Sequence, residues 1–222
     1  MSAPVITIDG PSGVGKGTIS KALADALGWH YLDSGALYRI LGYAADQAGV
    51  DFADADALVA LAASLKIDFA GGAQLNGKSV ETFIRTEQAG EYASRVAQHP
   101  QIRSAILELQ RGFLKPPGLV ADGRDMGTTI FPQTPHKFYL TAAAEERAKR
   151  RYKQLKEKGQ DGNIAALFRD IQKRDERDTN RADSPLRPAD DANIIDTTQL
   201  SINEVLKKVI EQLPFEVDVP LD

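Results

Sequence analysis

Nine residues near the start of the chain carry its most specific chemistry: Gly10-Pro11-Ser12-Gly13-Val14-Gly15-Lys16-Gly17-Thr18. Gly10, Gly15 and Lys16 have the G-x-x-x-x-G-K spacing of a phosphate-binding loop. Glycines let a backbone curl so that its N–H groups converge on one anion. The helix that follows such a loop turns its positive end toward the same charge. A lysine in this position reaches the outer phosphates of a polyphosphate. The hydroxyl that usually follows the lysine is displaced by one residue, with Gly17 in its place and Thr18 next.

Arginines and strand-end carboxylates are the other candidates. Arg147, Arg150 and Arg151 have i, i+3, i+4 spacing, and Arg174, Asp178 and Arg181 have i, i+4, i+7 spacing, so each group is expected on one helix face. Guanidinium groups bind phosphate in bidentate fashion, which lysines do not. The same spacings would also serve surface ion pairs with Glu145, Glu146 or Asp175. Asp122 closes an apolar run and precedes Gly123-Arg124-Asp125-Met126-Gly127-Thr128. In open parallel sheets, ligands lie beyond the carboxyl ends of strands. That position makes Asp122 the best carboxylate to orient Mg²⁺ or its waters, with Thr18 as a second oxygen. Asp9 and Asp33 are expected at strand ends as well. Ser34 follows Asp33 and could be a helix cap instead of a ligand. His30, His99 and His136 stand apart and lack metal-ligand spacing.

Composition narrows the class. The chain has 222 residues, no cysteine and a net charge of −4. Disulfides and thiolate metal sites are therefore excluded. The acidic balance argues against general nucleic-acid binding. Residues 145–187 nevertheless hold 13 Lys and Arg against 9 Asp and Glu. A locally basic segment in an acidic chain suits a small anionic ligand. No apolar stretch is long enough to span a bilayer, and the first residues lack a secretory pattern. A cytoplasmic monomer without membrane or nucleic-acid partners is the expectation.

These residues need strands and helices to position them. Strands are expected at 5–9, 29–33, 118–122, 137–140 and 192–195, alternating with helices at 16–27, 36–48 and 202–213. That rhythm predicts an α/β fold with a mainly parallel sheet. A helix at 54–65 is followed by two short strands, 66–70 and 78–84, with the hairpin signal Asn76-Gly77 between them. Helices at about 87–98 and 100–114 follow. The charged stretch 144–181 reads as two helices joined by residues 158–162, a candidate lid or a solvated helical hairpin. The acidic end, 214–222, reads as a loose tail.

Four segments together resemble the bacterial cytidylate kinases, within the nucleoside monophosphate kinases. They are the Lys16-Gly17-Thr18 form of the loop, residues 32–39 (LDSGALYR), residues 121–128 (ADGRDMGT) and residues 174–181 (RDERDTNR). The resemblance spans about residues 5–213. It implies a five-stranded parallel sheet flanked by helices, a monophosphate-binding insert with a small antiparallel sheet, and a short lid. One domain over 1–222 is expected, with its core at about 1–35, 96–150 and 166–213. The monophosphate region would be about 36–95 and the lid about 151–165. The implied reaction is ATP + CMP (or dCMP) giving ADP + CDP (or dCDP), with Mg²⁺. By this resemblance Lys16 and the loop hold the ATP phosphates, and Arg150 and Arg151 lie in or near the lid. Arg39, Arg124 and Arg181 hold the acceptor phosphate. Ser94, Arg103 and Asp125 read cytosine, and Ser34, Arg174 and Asp178 contact the sugar and its phosphate. Another small-molecule kinase, for adenylate or shikimate, is the nearest alternative. A nucleotide-dependent switch is the next, but the chain lacks an Asn-Lys-x-Asp guanine motif.

Overall fold

The structure, a computed structural model, describes residues 3–69, 72–157 and 159–217. In chain order the elements begin with β1 (Val5–Asp9), α1 (Lys16–Leu27), β2 (His30–Asp33), α2 (Ser34–Ala48) and α3 (Ala55–Ser64). Three short strands follow, β3 (Ile67–Asp68), β4 (Gln74–Leu75) and β5 (Lys78–Ser79), then α4 (Glu81–Ile84), α5 (Glu87–Val96) and α6 (Pro100–Arg111). The remainder is β6 (Leu119–Gly123), a π-helical turn (Met126–Ile130), β7 (His136–Thr141), α7 (Ala144–Glu157), α8 (Ile164–Thr179), β8 (Asn193–Asp196) and α9 (Ile202–Ile210). The chain divides into two compact units, Met1–Leu32 with Phe113–Asp222, and Asp33–Gly112.

The first unit is built on the five-stranded parallel sheet, ordered β2-β6-β1-β7-β8. β1 is central, with Val5 opposite Leu119 on β6 and Ile6 opposite His136 on β7. All five residues of β1 are buried. That is why Val-Ile-Thr-Ile reads as a continuous apolar run and not as an alternation. Ile6, Ile8, Ile19, Leu23, Phe138, Leu140 and Val209 form the core around it. α1 stops at Gly28, whose left-handed φ of 62° lets its N–H reach back to the last turn. Trp29 packs against this core, as a core residue should. Phe215 lies 5.8 Å from its ring, centroid to centroid. Leu213, Phe215 and Val217 also pack on the core. The expectation of a loose tail is therefore corrected for residues 214–217, and 218–222 lie outside the described residues.

The second unit has two small cores. Leu41, Leu58, Val96, Ile102 and Ile106 form one, and Ala36, Ile40, Val80 and Ile84 the other. Both use residues of α2, which runs through the unit. Its start is capped by Asp33, whose carboxylate accepts from the Ala36 N–H at 3.0 Å. The small sheet has three antiparallel strands in the order β3-β4-β5. Asn76-Gly77 is the β4–β5 turn, as its sequence predicts. The expected strand 78–84 is a strand only at Lys78–Ser79, and Glu81–Ile84 is helical. The Glu81 carboxylate explains the switch: it accepts from the Ala73 N–H and from Arg85, fixing a helical turn there. The expected strand 66–70 narrows to Ile67–Asp68. Ala70, Gly71 and Lys158 of the expected strand, turn and lid lie outside the described residues.

Candidate active site

The phosphate loop joins β1 to α1. Gly10 has φ 150°, and a Cβ there would stand 2.2 Å from the Leu140 carbonyl oxygen, so no side chain fits. Gly15 caps α1 with φ 94°. Lys16 is buried and folds back over the loop, its Nζ donating to the Pro11 carbonyl at 3.2 Å. Two more loop carbonyls are taken from outside. Arg147 Nη1 donates to Ser12 O at 3.1 Å, and Thr197 Oγ1 donates to Val14 O at 3.2 Å. Three loop carbonyls are thus held by side chains, which fixes the curl of the loop.

Arg147 does more than its helical spacing suggested. It is buried, and Nε donates to Ala142 O at 3.0 Å. Its Nη1 and Nη2 grip both oxygens of Asp175 at 3.1 and 2.5 Å. The pairing with Asp175 is one of the two roles open to the sequence; the bond to the loop is new. Arg150 reaches the loop indirectly, donating to Thr197 Oγ1 at 3.2 Å and to Thr197 O at 2.5 Å. Arg151 Nη1 donates to Gln154 Oε1 at 3.2 Å along its own helix.

At the carboxyl ends of β1 and β6 stand two carboxylates, Asp9 and Asp122. Asp122 is buried, and Tyr31 on β2 donates its hydroxyl to Asp122 Oδ2 at 2.6 Å. A Cβ at Gly17 would lie 3.5 Å from that oxygen and 3.6 Å from the Tyr31 hydroxyl. Asp9 has a different task. Its two oxygens accept from the Met126 and Gly127 N–H groups, each at 2.8 Å. Burial pushes its carboxyl up to about 7, against the pull of those two donors. Asp9 thus anchors the π-helical turn, which follows Arg124 and Asp125. Asp125 is buried, and its backbone carbonyl accepts from Thr129 and Ile130.

Asp178 on α8 gathers the arginines. Arg124 Nε donates to its Oδ2 at 3.1 Å, and Arg174 Nε lies 4.0 Å away. Burial alone would raise the Asp178 carboxyl, but the charges of Arg124, Arg174 and Arg181 outweigh it and hold the group below its ordinary value. Arg181 lies past the last helical residue, Thr179, so the expected single face is corrected. It is held instead by the carbonyl of Ser184, which accepts from Nη2 at 2.5 Å. Ser184 has a left-handed φ of 47°.

In the second unit, α2 and α6 meet through side chains named by the resemblance. Ser34 Oγ accepts from the buried Gln110 at 2.8 Å, and the Arg103 guanidinium stands 5.7 Å from the Tyr38 ring centroid. Ser94 and Arg103 are buried. Arg39 Nη1 donates to Ile84 O at 2.9 Å. The histidines are structural: His30 contacts Pro116 O at 3.0 Å and His99 contacts Phe52 O at 2.7 Å. Tyr31, Thr197 and Gln110 are contacts that residue spacing did not assign. Asp175 lies within a quoted segment, but these three carry no motif.

Among the described residues, no three His, Cys, Asp or Glu side chains cluster to hold a metal. A Mg²⁺ ion accompanying nucleotide phosphates would need only one or two protein oxygens and would keep its waters. Asp122, beside the residue after Lys16, fits such a role. Among the same residues, no helix is long and apolar enough to cross a membrane.

A glycine loop of this geometry at the carboxyl end of the central strand, with a buried lysine and an arginine cluster in the same unit, defines a phosphate-loop phosphotransferase of the α/β class. Comparison with known proteins narrows it. The family model described as cytidylate kinase matches residues 6–214. A cytidylate kinase of Stutzerimonas stutzeri is 52% identical over 217 residues, covering 95% of each chain. That of Pseudomonas aeruginosa is 54% identical over 216 residues, covering 94% of each. That of Colwellia psychrerythraea is 53% identical over 215 residues, covering 94% of this chain and 95% of its own. The chain belongs to the cytidylate kinase family.

Proposed function

We propose that this chain transfers the γ-phosphoryl group of ATP to CMP or dCMP, giving ADP and CDP or dCDP, as a cytoplasmic monomer. The observation that carries the reading is the loop itself, with its buried Lys16 and externally satisfied carbonyls, in a chain of this family. An oxygen of the acceptor phosphate attacks the γ-phosphorus in line. The new O–P bond forms as the bond to the β-phosphate oxygen breaks. A phosphate monoester has a second pKa of about 6, so the acceptor oxygen is already ionised at neutral pH. No general base is needed, and the protein's work is positioning and charge compensation.

The loop from Gly10 to Thr18, chiefly through backbone N–H groups, and the Lys16 ammonium hold the donor phosphates. Asp122 and Thr18 would hold Mg²⁺, directly or through water, and the ion would supply charge compensation to the donor phosphates. Arg39, Arg124 and Arg181 take the acceptor phosphate, and Arg174, Asp178 and Ser34 take the sugar and its phosphate. Arg150 and Arg151 belong to the lid over about 151–165 and its approach. Ser94, Arg103 and Asp125 read the base. Cytosine offers an amino donor at N4 and acceptors at N3 and O2. Uracil would set its O4 against the Asp125 carboxylate, acceptor against acceptor, which a built site rejects strongly.

A coupled ADP-release assay with CMP, dCMP, UMP, AMP and shikimate tests this. CMP is expected to be turned over well above UMP. Failure of CMP alongside turnover of another acceptor would overturn the reading.

A further inference from the structure

The residue after Lys16 is where other phosphate loops carry the hydroxyl that meets the metal. Here it is Gly17, and the atoms nearest its missing Cβ are Asp122 Oδ2 at 3.5 Å and the Tyr31 hydroxyl at 3.6 Å. We propose that Tyr31 is a positioning residue for Asp122, and that the Tyr31–Asp122 pair performs at this loop the task of the hydroxyl missing at position 17. The inference rests on the assignment of Asp122 to the Mg²⁺ side of the site.

Three observations support it. The hydroxyl-to-carboxylate distance is 2.6 Å, in the range of strong charge-assisted bonds. A phenol facing a carboxylate must be the donor, so the bond fixes where Asp122 Oδ2 sits. The two groups also come from adjacent strands, β2 and β6, of one sheet. Backbone pairing therefore fixes their separation, which suits an outer partner that orients a metal-side carboxylate. The Tyr31 ring packs on the core of the first unit. Tyr31→Phe therefore removes the hydroxyl and keeps the packing.

The test is calorimetric binding of ATP to the full chain, once with excess Mg²⁺ and once in EDTA, for the wild type, Tyr31→Phe and Asp122→Asn. Losing such an outer partner typically costs 10–100-fold in metal affinity. Tyr31→Phe should bind Mg·ATP about tenfold more weakly than wild type, bind metal-free ATP equally well, and melt within a few degrees of it. Asp122→Asn should lose at least as much, again only with Mg²⁺. If Asp122→Asn responds and Tyr31→Phe does not, the positioning role is overturned while the Asp122 assignment stands. If Asp122→Asn shows no Mg²⁺-dependent loss, the Asp122 assignment falls and takes the inference with it. Equal losses by Tyr31→Phe with and without Mg²⁺ would make the hydroxyl a general support of the fold and overturn the proposal.

Discussion

Replacing Asp178 with asparagine keeps the shape of the side chain and removes one negative charge from among three positive ones. The carboxylate is 5% exposed, with Arg124 at 3.1 Å and Arg174 at 4.0 Å. Removing one member of a buried ion pair costs roughly 3–5 kcal/mol. Arg124 and Arg174 keep 15% and 17% of their side-chain surface in water, which favours the low end of that range. A loss of about 3 kcal/mol should lower the melting temperature by about 6–12 °C in a chain of this size. Urea titration followed by fluorescence measures it, because Trp29 is the sole tryptophan and sits in the same unit. The pH dependence has a definite sign. The Asp178 carboxyl is held below its ordinary value in the folded state. Its contribution is therefore present above about pH 4 and lost as the pH falls through the folded value. The gap between wild type and variant should hold from pH 7 to pH 5 and narrow only below 4. Inorganic phosphate should raise the variant's melting temperature more than the wild type's, by giving the arginines back an anion. A variant within about 1 kcal/mol of wild type at pH 7 would refute the claim that this pair is a buried, unscreened one.

Other substitutions probe other parts of the site. Lys16→Ala should lower kcat by at least about 100-fold, with little change in melting temperature; near-normal turnover would contradict its place on the donor phosphates. Asp125→Ala should reduce the preference for CMP over UMP by at least about 100-fold, read as a ratio of kcat/KM values. An unchanged ratio would remove Asp125 from base reading. Arg181→Ala should lower kcat more than it raises KM if the guanidinium acts in the transition state, and a pure KM effect would place it in ground-state binding. Asp9 tests the opposite pH sign: its carboxyl is pushed up to about 7 from 3.8. The stability it contributes is full below about pH 4 and lost as the pH rises through 7, so the wild type's advantage over Asp9→Asn should shrink across that window. An advantage that grows with pH would refute the assignment.

The residues proposed to touch substrate are more legible in the sequence than the residues that hold them. Gly10, Gly15 and Lys16 announce themselves because a phosphate cradle tolerates few residue types at few spacings. The buried strands and glycine-stopped helices were legible for the same reason, local stereochemistry. The bracing contacts depend on tertiary pairing. Arg147 could pair on the surface or grip the loop, and its spacing serves both. Only the packing of α7 against α8 brings it to Asp175 and Ser12. Arg181 looked like a third residue on a helical face, yet α8 ends two residues before it. Tyr31 is a strand residue with no motif, and its partner lies 91 positions away. The small sheet was misread at 78–84 because a short apolar alternation does not reveal that Glu81 will bond Ala73 and Arg85.

The strand order has a consequence for how the molecule is made. β1 leaves the ribosome before the other four strands of its sheet, yet it is the middle strand, and both its partners come after residue 118. It must wait without ladder bonds while Asp33–Gly112 is synthesised. That stretch holds two apolar clusters of its own and can condense during the delay. The sheet then closes late, through pairings of large sequence separation that fold slowly. Translation stalled shortly before residue 119 would leave Val-Ile-Thr-Ile as an unpaired apolar strand, the segment of this chain most in need of a chaperone.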